Sequence, residues 1–165
     1  MARVLPRVDL TPEEEADLRV RVLRFIGRDA APKLVVTKGL DGKPRFRLMG
    51  VRMAGFTPYL ISIKPSAKLE ELQADPEVTV LWYQNDAADE DSDQPLRLVA
   101  ITGDAELVMS AAGMRAFPGP DQAMSDEELE RTRFGIIVHP TKLRVEGFRP
   151  GPRYPIFLRP DPALP

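Results

Sequence analysis

Ser62, Ser66 and Lys68, in the turn SIKPSAK, bring two hydroxyls and an ammonium group to the start of a short helix. The first free N–H groups of a helix carry the positive end of its dipole, a serine there caps or donates, and a lysine adds a full charge, so the chemistry on offer is anion binding. A capped surface helix with a solvated lysine has the same sequence signature, and the turn alone does not separate the two. Arg45 and Arg47, two positions apart in RFRLMGVR, share one face of a strand and add guanidinium groups, unless that face is simply solvated. No other chemistry stands out. There is no cysteine for nucleophilic or metal work, and the single histidine, His139, precedes Pro140 and reads as a turn residue. The acidic run from Asp86 to Asp93 lacks the spacing, glycine and terminal glutamate of a calcium loop and reads as a solvated loop over 84–95. Neither a catalytic residue nor a metal ligand is assigned.

The elements that must position these groups follow from periodicity and punctuation. Tyr59, Leu60, Ile61 and Ile63 make a strand; Leu69 and Leu72 give the helix after Ser66 its apolar side; Asp75-Pro76 stops it, and Val78, Val80 and Trp82 open the next strand. Upstream, Thr11-Pro12-Glu13-Glu14 is a capping box with proline at the first helical position. Leu18, Val22, Phe25 and Ile26 then recur at helical spacing, and Gly27 offers a left-handed cap. Lys33 to Lys38 is a β-branched run, Asp41-Gly42 a hairpin turn, and Arg45 to Met53 a single alternating strand, followed by a turn over Ala54 to Pro58. Leu96 to Val108 is a strand in which Gly103 marks a bulge or close approach. A short helix over Ser110 to Ala116 and a second capping box at Ser125 and Glu128 precede two strands, Phe134 to Val138 and Leu143 to Phe148, joined by a turn at His139-Pro140-Thr141. The proline-rich tail, 149–165, is expected to be irregular and to lie along the surface or across a partner subunit. Six or so strands in consecutive hairpins, with helices inserted between them, predict a mainly β chain closed into an antiparallel barrel over 1–148.

Composition bounds the rest. With 165 residues, 43% of them hydrophobic and 29% charged, the chain fits one globular domain, and its 17 prolines and 11 glycines favour short strands and many turns. No apolar run is long enough to span a membrane, and the N-terminal MARVLPRVDL lacks the apolar run of a signal peptide. Absence of cysteine suits a reducing, cytoplasmic setting. A formal net charge of −2 with 7% aromatic residues speaks against nucleic acid, which would require a basic groove interleaved with aromatics.

Three pieces in order, DGKPRFRLMGVR, SIKPSAK and LEELQADPEVTVLWY, resemble the pyridoxamine 5′-phosphate oxidase-like family of FMN-binding split β-barrels, over roughly Ile26 to Phe148. The resemblance implies a six-stranded antiparallel split barrel that forms a homodimer, binds FMN at the dimer interface and passes hydride to or from a small molecule. It puts Arg47 at the phosphate-binding arginine, Leu48 and Met49 beside the isoalloxazine ring, Arg52 at the terminal basic position, and Ser62, Ser66 and Lys68 at the flavin-contacting hydroxyls and lysine. The arginine-histidine-arginine signature that grips pyridoxal phosphate in the true oxidases is not visible, so vitamin B6 oxidation is not implied. Related split barrels use the deazaflavin F420, whose acidic tail Lys38, Lys43, Arg45 and Lys64 would track. A non-catalytic flavin or haem carrier is the other alternative, with His139 as the histidine candidate for haem. Trp82 and Tyr83 read as core and interface aromatics.

Overall fold

Gly50 and Val51 join two strands that lie at opposite ends of the same sheet. In the computed structural model, which describes residues 8–28, 32–85, 96–119, 123–149 and 154–160, the strands are β1 (Lys33–Lys38), β2 (Pro44–Met49), β3 (Arg52–Ala54), β4 (Thr57–Ile63), β5 (Glu77–Asn85), β6 (Leu96–Val108), β7 (Arg133–Glu146) and β8 (Ile156–Leu158). They pair antiparallel in the order β2-β1-β5-β6-β7-β4-β3, with β8 alongside β7. Two linking residues span only about 10 Å. The sheet must therefore curl until its ends approach, which makes it a split β-barrel. Among the described residues there are four helices, α1 (Pro12–Arg28) ahead of the first strand and α2 (Ala67–Ala74), α3 (Ala111–Arg115) and α4 (Asp126–Thr132) inserted between strands. Among the described residues, no helix is long and apolar enough to cross a membrane.

Strand alternation sorts the side chains. Val35, Leu60, Val78, Val80, Trp82, Val99, Ile101, Ile136, Leu143 and Val145 are buried in one core, and α1 adds Leu18, Val22, Phe25 and Ile26 to it, with Phe25 edge-on to Phe148 at 5.3 Å. A smaller cluster of Ala111, Met114 and Leu129 packs with Ile61 and Val108, so α3 and α4 cover the opposite face of β4 and β6. The capping box that starts α1 is formed both ways: Glu14 N donates to Thr11 Oγ1 at 3.2 Å and Thr11 N to Glu14 Oε2 at 2.8 Å. Thr11→Ala is expected to cost about 1 kcal/mol, a fall of roughly 2–4 °C in the thermal midpoint for a domain of this size, readable by circular dichroism.

The sheet holds eight strands among the described residues where six or so were expected, β5 runs to Asn85 into the expected loop over 84–95, and β3 and β4 take Ala54, Thr57 and Pro58 of the expected turn. Arg45 to Met53 is two strands, because the chain leaves one sheet edge at Met49 and joins the other at Arg52. Gly27 does not cap α1 in the left-handed region; helix continues through it to Arg28, and among the described residues the positive-φ glycines are Gly42, Gly55, Gly119 and Gly147. The two final strands are one, β7, which runs through His139 and Pro140. Thr102 pairs with Lys142 and Gly103 with Pro140, leaving Thr141 over as a bulge, so a proline that cannot donate sits where the ladder is already broken. A Cβ at Gly103 would collide with the His139 carbonyl, so Gly103 is the close-approach point its position in the strand suggested. The tail is not wholly irregular: Ile156–Leu158 pairs with Leu143–Val145 and buries Ile156 and Leu158. The acidic residues 86–95 lie outside the described residues.

Candidate functional site

Helix α2 crosses the seam where the ends of the sheet meet, and its inner side is charged. Lys68 and Glu71 are three residues apart and face the same way, with Leu72 one further on anchoring the helix in the core. From this side Lys68 reaches β4, its Nζ donating to Ser62 Oγ at 2.7 Å. Glu71 reaches β2 and β1: Arg47 Nη2 donates to Glu71 Oε1 at 2.7 Å, Thr37 Oγ1 donates to Glu71 Oε2 at 2.7 Å, and Arg47 Nη1 donates to Thr37 Oγ1 at 2.6 Å. Arg47 and Thr37 meet because Arg47 pairs with Val35 across the β1–β2 ladder, which turns both Arg47 and Thr37 to the inner face.

Lys68 is only 8% exposed and Glu71 4%. Burial is the main reason that the Lys68 ammonium titrates below its ordinary value, the charge of Arg47 pushes the same way, and Glu71 opposes both. Glu71 is held below the usual carboxylate range, chiefly by the hydrogen bond from Arg47 and against its own burial, with Thr37 and the charge of Arg45 assisting. Two cations and one carboxylate leave this cluster with a single net positive charge. Beside it Ser66 occupies the cap position of α2 in extended geometry, yet its hydroxyl makes no cap bond and its Oγ is buried without a partner. A buried cation with one neutral hydroxyl as its hydrogen-bond partner, next to an orphaned hydroxyl, is an arrangement that receives an acceptor.

The structure brings together Arg47, Ser62, Ser66 and Lys68 of the residues singled out from the sequence. Met49 shares the inner face with Arg47 and packs against the core, whereas its neighbour Leu48 points outward and is 74% exposed, as strand alternation requires. Arg52 stands apart from the cluster on β3, opposite Tyr59 and beside Gly119. Three of the basic residues set aside for an acidic tail hold protein groups: Lys38 pairs with Asp75 at 2.9 Å, Arg45 with Asp41 at 3.0 Å, and Lys64 Nζ donates to the Glu130 carbonyl. His139 lies exposed on β7, 2.7 Å from Glu106, and enters none of these bonds. Thr37 and Glu71 are the members that sequence reasoning missed. The signal for Glu71 was its spacing from Lys68; Thr37 offered only its place in a strand.

The outer face of the same strands is apolar. Leu34 lies between Leu48 and Leu81, Val36 pairs with Phe46, and Tyr83 pairs with Leu98, giving a continuous surface across β2, β1, β5 and β6. Phe46, Leu48 and Tyr83 are its most exposed members, while Trp82, one residue from Tyr83, is buried in the core.

No family model matches the chain, and no curated protein matches it. Solved structures do. A pyridoxamine 5′-phosphate oxidase-related, FMN binding protein from Nostoc punctiforme is 15% identical, with 95% of each chain covered and a TM-score of 0.60. An F420 reductase is 19% identical over 73% of this chain and 93% of its own, with a TM-score of 0.52. A heme binding protein from Mycobacterium smegmatis is 15% identical over 90% of this chain but 58% of its own, with a TM-score of 0.54. The fold is thus the split β-barrel of the pyridoxamine 5′-phosphate oxidase-like proteins. At these identities the likeness speaks to fold alone, and the neighbours' names span three different cofactors.

Proposed function

We propose that the protein is a flavin-dependent oxidoreductase, a homodimer that holds the phosphate of FMN, or of the deazaflavin F420, on Arg47, Ser62, Ser66 and Lys68 and exchanges hydride with a small molecule. The observation that carries this reading is the buried Lys68 ammonium on Ser62 beside the partnerless Ser66 hydroxyl. These donors fit the phosphate end of such a cofactor: Lys68 and Ser66 supply N–H and O–H groups in a dry site, Arg47 supplies a planar fork, and α2 adds its N-terminus. A bound flavin or deazaflavin supplies the hydride chemistry, which is why the protein needs no acid, base or nucleophile of its own for that step. The protein's part is to fix the phosphate and to shield the ring from water. The absence of cysteine suits work in the reducing cytoplasm.

The apolar outer face supports the dimer, because a surface on which Leu34, Val36, Phe46, Leu48, Leu81 and Tyr83 adjoin is costly to leave in water, and a second copy presents the same face to it. Leu48→Asp is expected to convert the dimer to monomers in sedimentation at micromolar concentration with its circular dichroism unchanged. A wild-type protein that sediments as a monomer contradicts the dimer, and a variant still dimeric moves the interface elsewhere. Nothing in the geometry favours haem, since the one histidine is exposed and engaged with Glu106. The functional reading is tested by titrating the cofactor-free protein with FMN and, separately, with F420, following absorbance or fluorescence. Saturable binding of either supports it, and binding of neither overturns it.

A further inference from the structure

Glu71 is a carboxylate inside a site otherwise built for anions, and nothing about holding α2 in place demands it, since Leu72 already anchors the helix in the core. Its oxygens occupy the Arg47 and Thr37 donors at 2.7 Å each. We propose that Glu71 sets the charge of this cradle, so that it selects a singly charged phosphodiester, the kind of linkage F420 carries, over the doubly charged phosphomonoester of FMN. The inference rests on the cofactor reading above.

Arg47 and Lys68 contribute two positive charges and Glu71 removes one, and a buried site binds best the ligand that neutralises what remains. A diester cancels the remaining charge. A dianion leaves a net negative charge in a largely buried place, and one of its oxygens must come close to the Glu71 carboxylate or displace it from Arg47. Glu71 stays ionised through the neutral range because Arg47 and Thr37 hold its charged form, so the discrimination is permanent rather than switched.

The test compares three ligands that share one ring: riboflavin, FMN and the methyl ester of FMN's phosphate, which carries one charge. Each is titrated into the wild type and into Glu71→Gln, which removes the charge, keeps one carbonyl oxygen to accept from Arg47 and puts an amide NH2 where the second oxygen accepted from Thr37. In the wild type the methyl ester is expected to bind at least as tightly as FMN. In Glu71→Gln the preference should move toward FMN by roughly tenfold, with riboflavin unchanged. A second reading needs no variant. The outer phosphate proton of FMN leaves near pH 6, so the wild-type preference for the ester should shrink at pH 5, where FMN also carries a single charge. The groups facing Glu71 are Arg45 and Arg47 from β2, Thr37 from β1 and Lys68 from its own helix. An FMN-to-ester ratio that is the same in wild type and variant, or the same at both pH values, overturns the role of Glu71 and leaves the cofactor reading standing. If none of the three ligands nor F420 binds the wild type, the cofactor reading falls and this inference with it.

Discussion

Lys68→Met is expected to lower the affinity for FMN and F420 by roughly 10- to 100-fold while leaving the cofactor-free protein as stable as before, or more so. Both signs come from the same geometry. The ammonium is buried with one neutral hydroxyl as its hydrogen-bond partner and lies in the field of Arg47, so the fold holds it at a cost that methionine, of similar length and apolar, does not incur. A residue whose removal firms the fold and empties the site is one kept for its ligand. The pH dependence follows. Because the folded-state pKa of Lys68 lies below its unfolded value, the folded chain binds fewer protons, and stability rises as the pH climbs through the interval between the two. That share of the alkaline rise should be missing from Lys68→Met. Thermal unfolding of the cofactor-free proteins, run beside the cofactor titrations, reads both effects. A variant that melts earlier yet binds undiminished would make Lys68 a structural residue.

How far the sequence reached is clearest at α2. Its limits, its serine start and its proline stop were legible because each is a local rule, and the fold around it was legible because alternation and turn residues fix short strands one at a time. What was not legible is whatever depends on two distant segments meeting. Arg45 to Met53 alternates without a break, and only the closure of the sheet shows that it must change edges at Gly50 and Val51. His139-Pro140-Thr141 carries every mark of a turn, yet β6 holds it in a ladder by giving up one residue to a bulge. In the site the same limit applies. Ser62, Ser66 and Lys68 share seven residues of chain and could be grouped on sight, whereas the bond from Arg47 to Glu71 joins a strand and a helix that only the curled barrel brings face to face. Read alone, Arg47 is a free cation; in place it already has a counter-ion.

That counter-ion makes Arg47→Ala a different experiment from Lys68→Met. Removing the guanidinium leaves the Glu71 carboxylate buried without its main partner, and breaking a largely buried pair from one side is expected to cost about 2–3 kcal/mol, a drop of roughly 5–10 °C in the thermal midpoint, before any cofactor is added. Loss of cofactor binding in Arg47→Ala would then mix two causes. Adding Glu71→Gln to it separates them: most of the stability should return, because an amide in the same place carries no charge to strand, while the affinity for phosphate stays low, because the guanidinium is still missing. The pH profile gives an independent check on the sign. In the wild type the folded pKa of Glu71 is depressed, so its contribution is present above the ordinary carboxylate range and is lost as the pH falls through the folded value. Without Arg47 the largest lowering influence is gone and burial raises the pKa instead, so protonation relieves the variant. The gap in stability between wild type and Arg47→Ala should therefore be widest near pH 7 and close as the pH approaches 4. A gap that is flat across this range, or one that Glu71→Gln fails to narrow, would mean that the pair does not carry the stability assigned to it and that Arg47 answers to some other group.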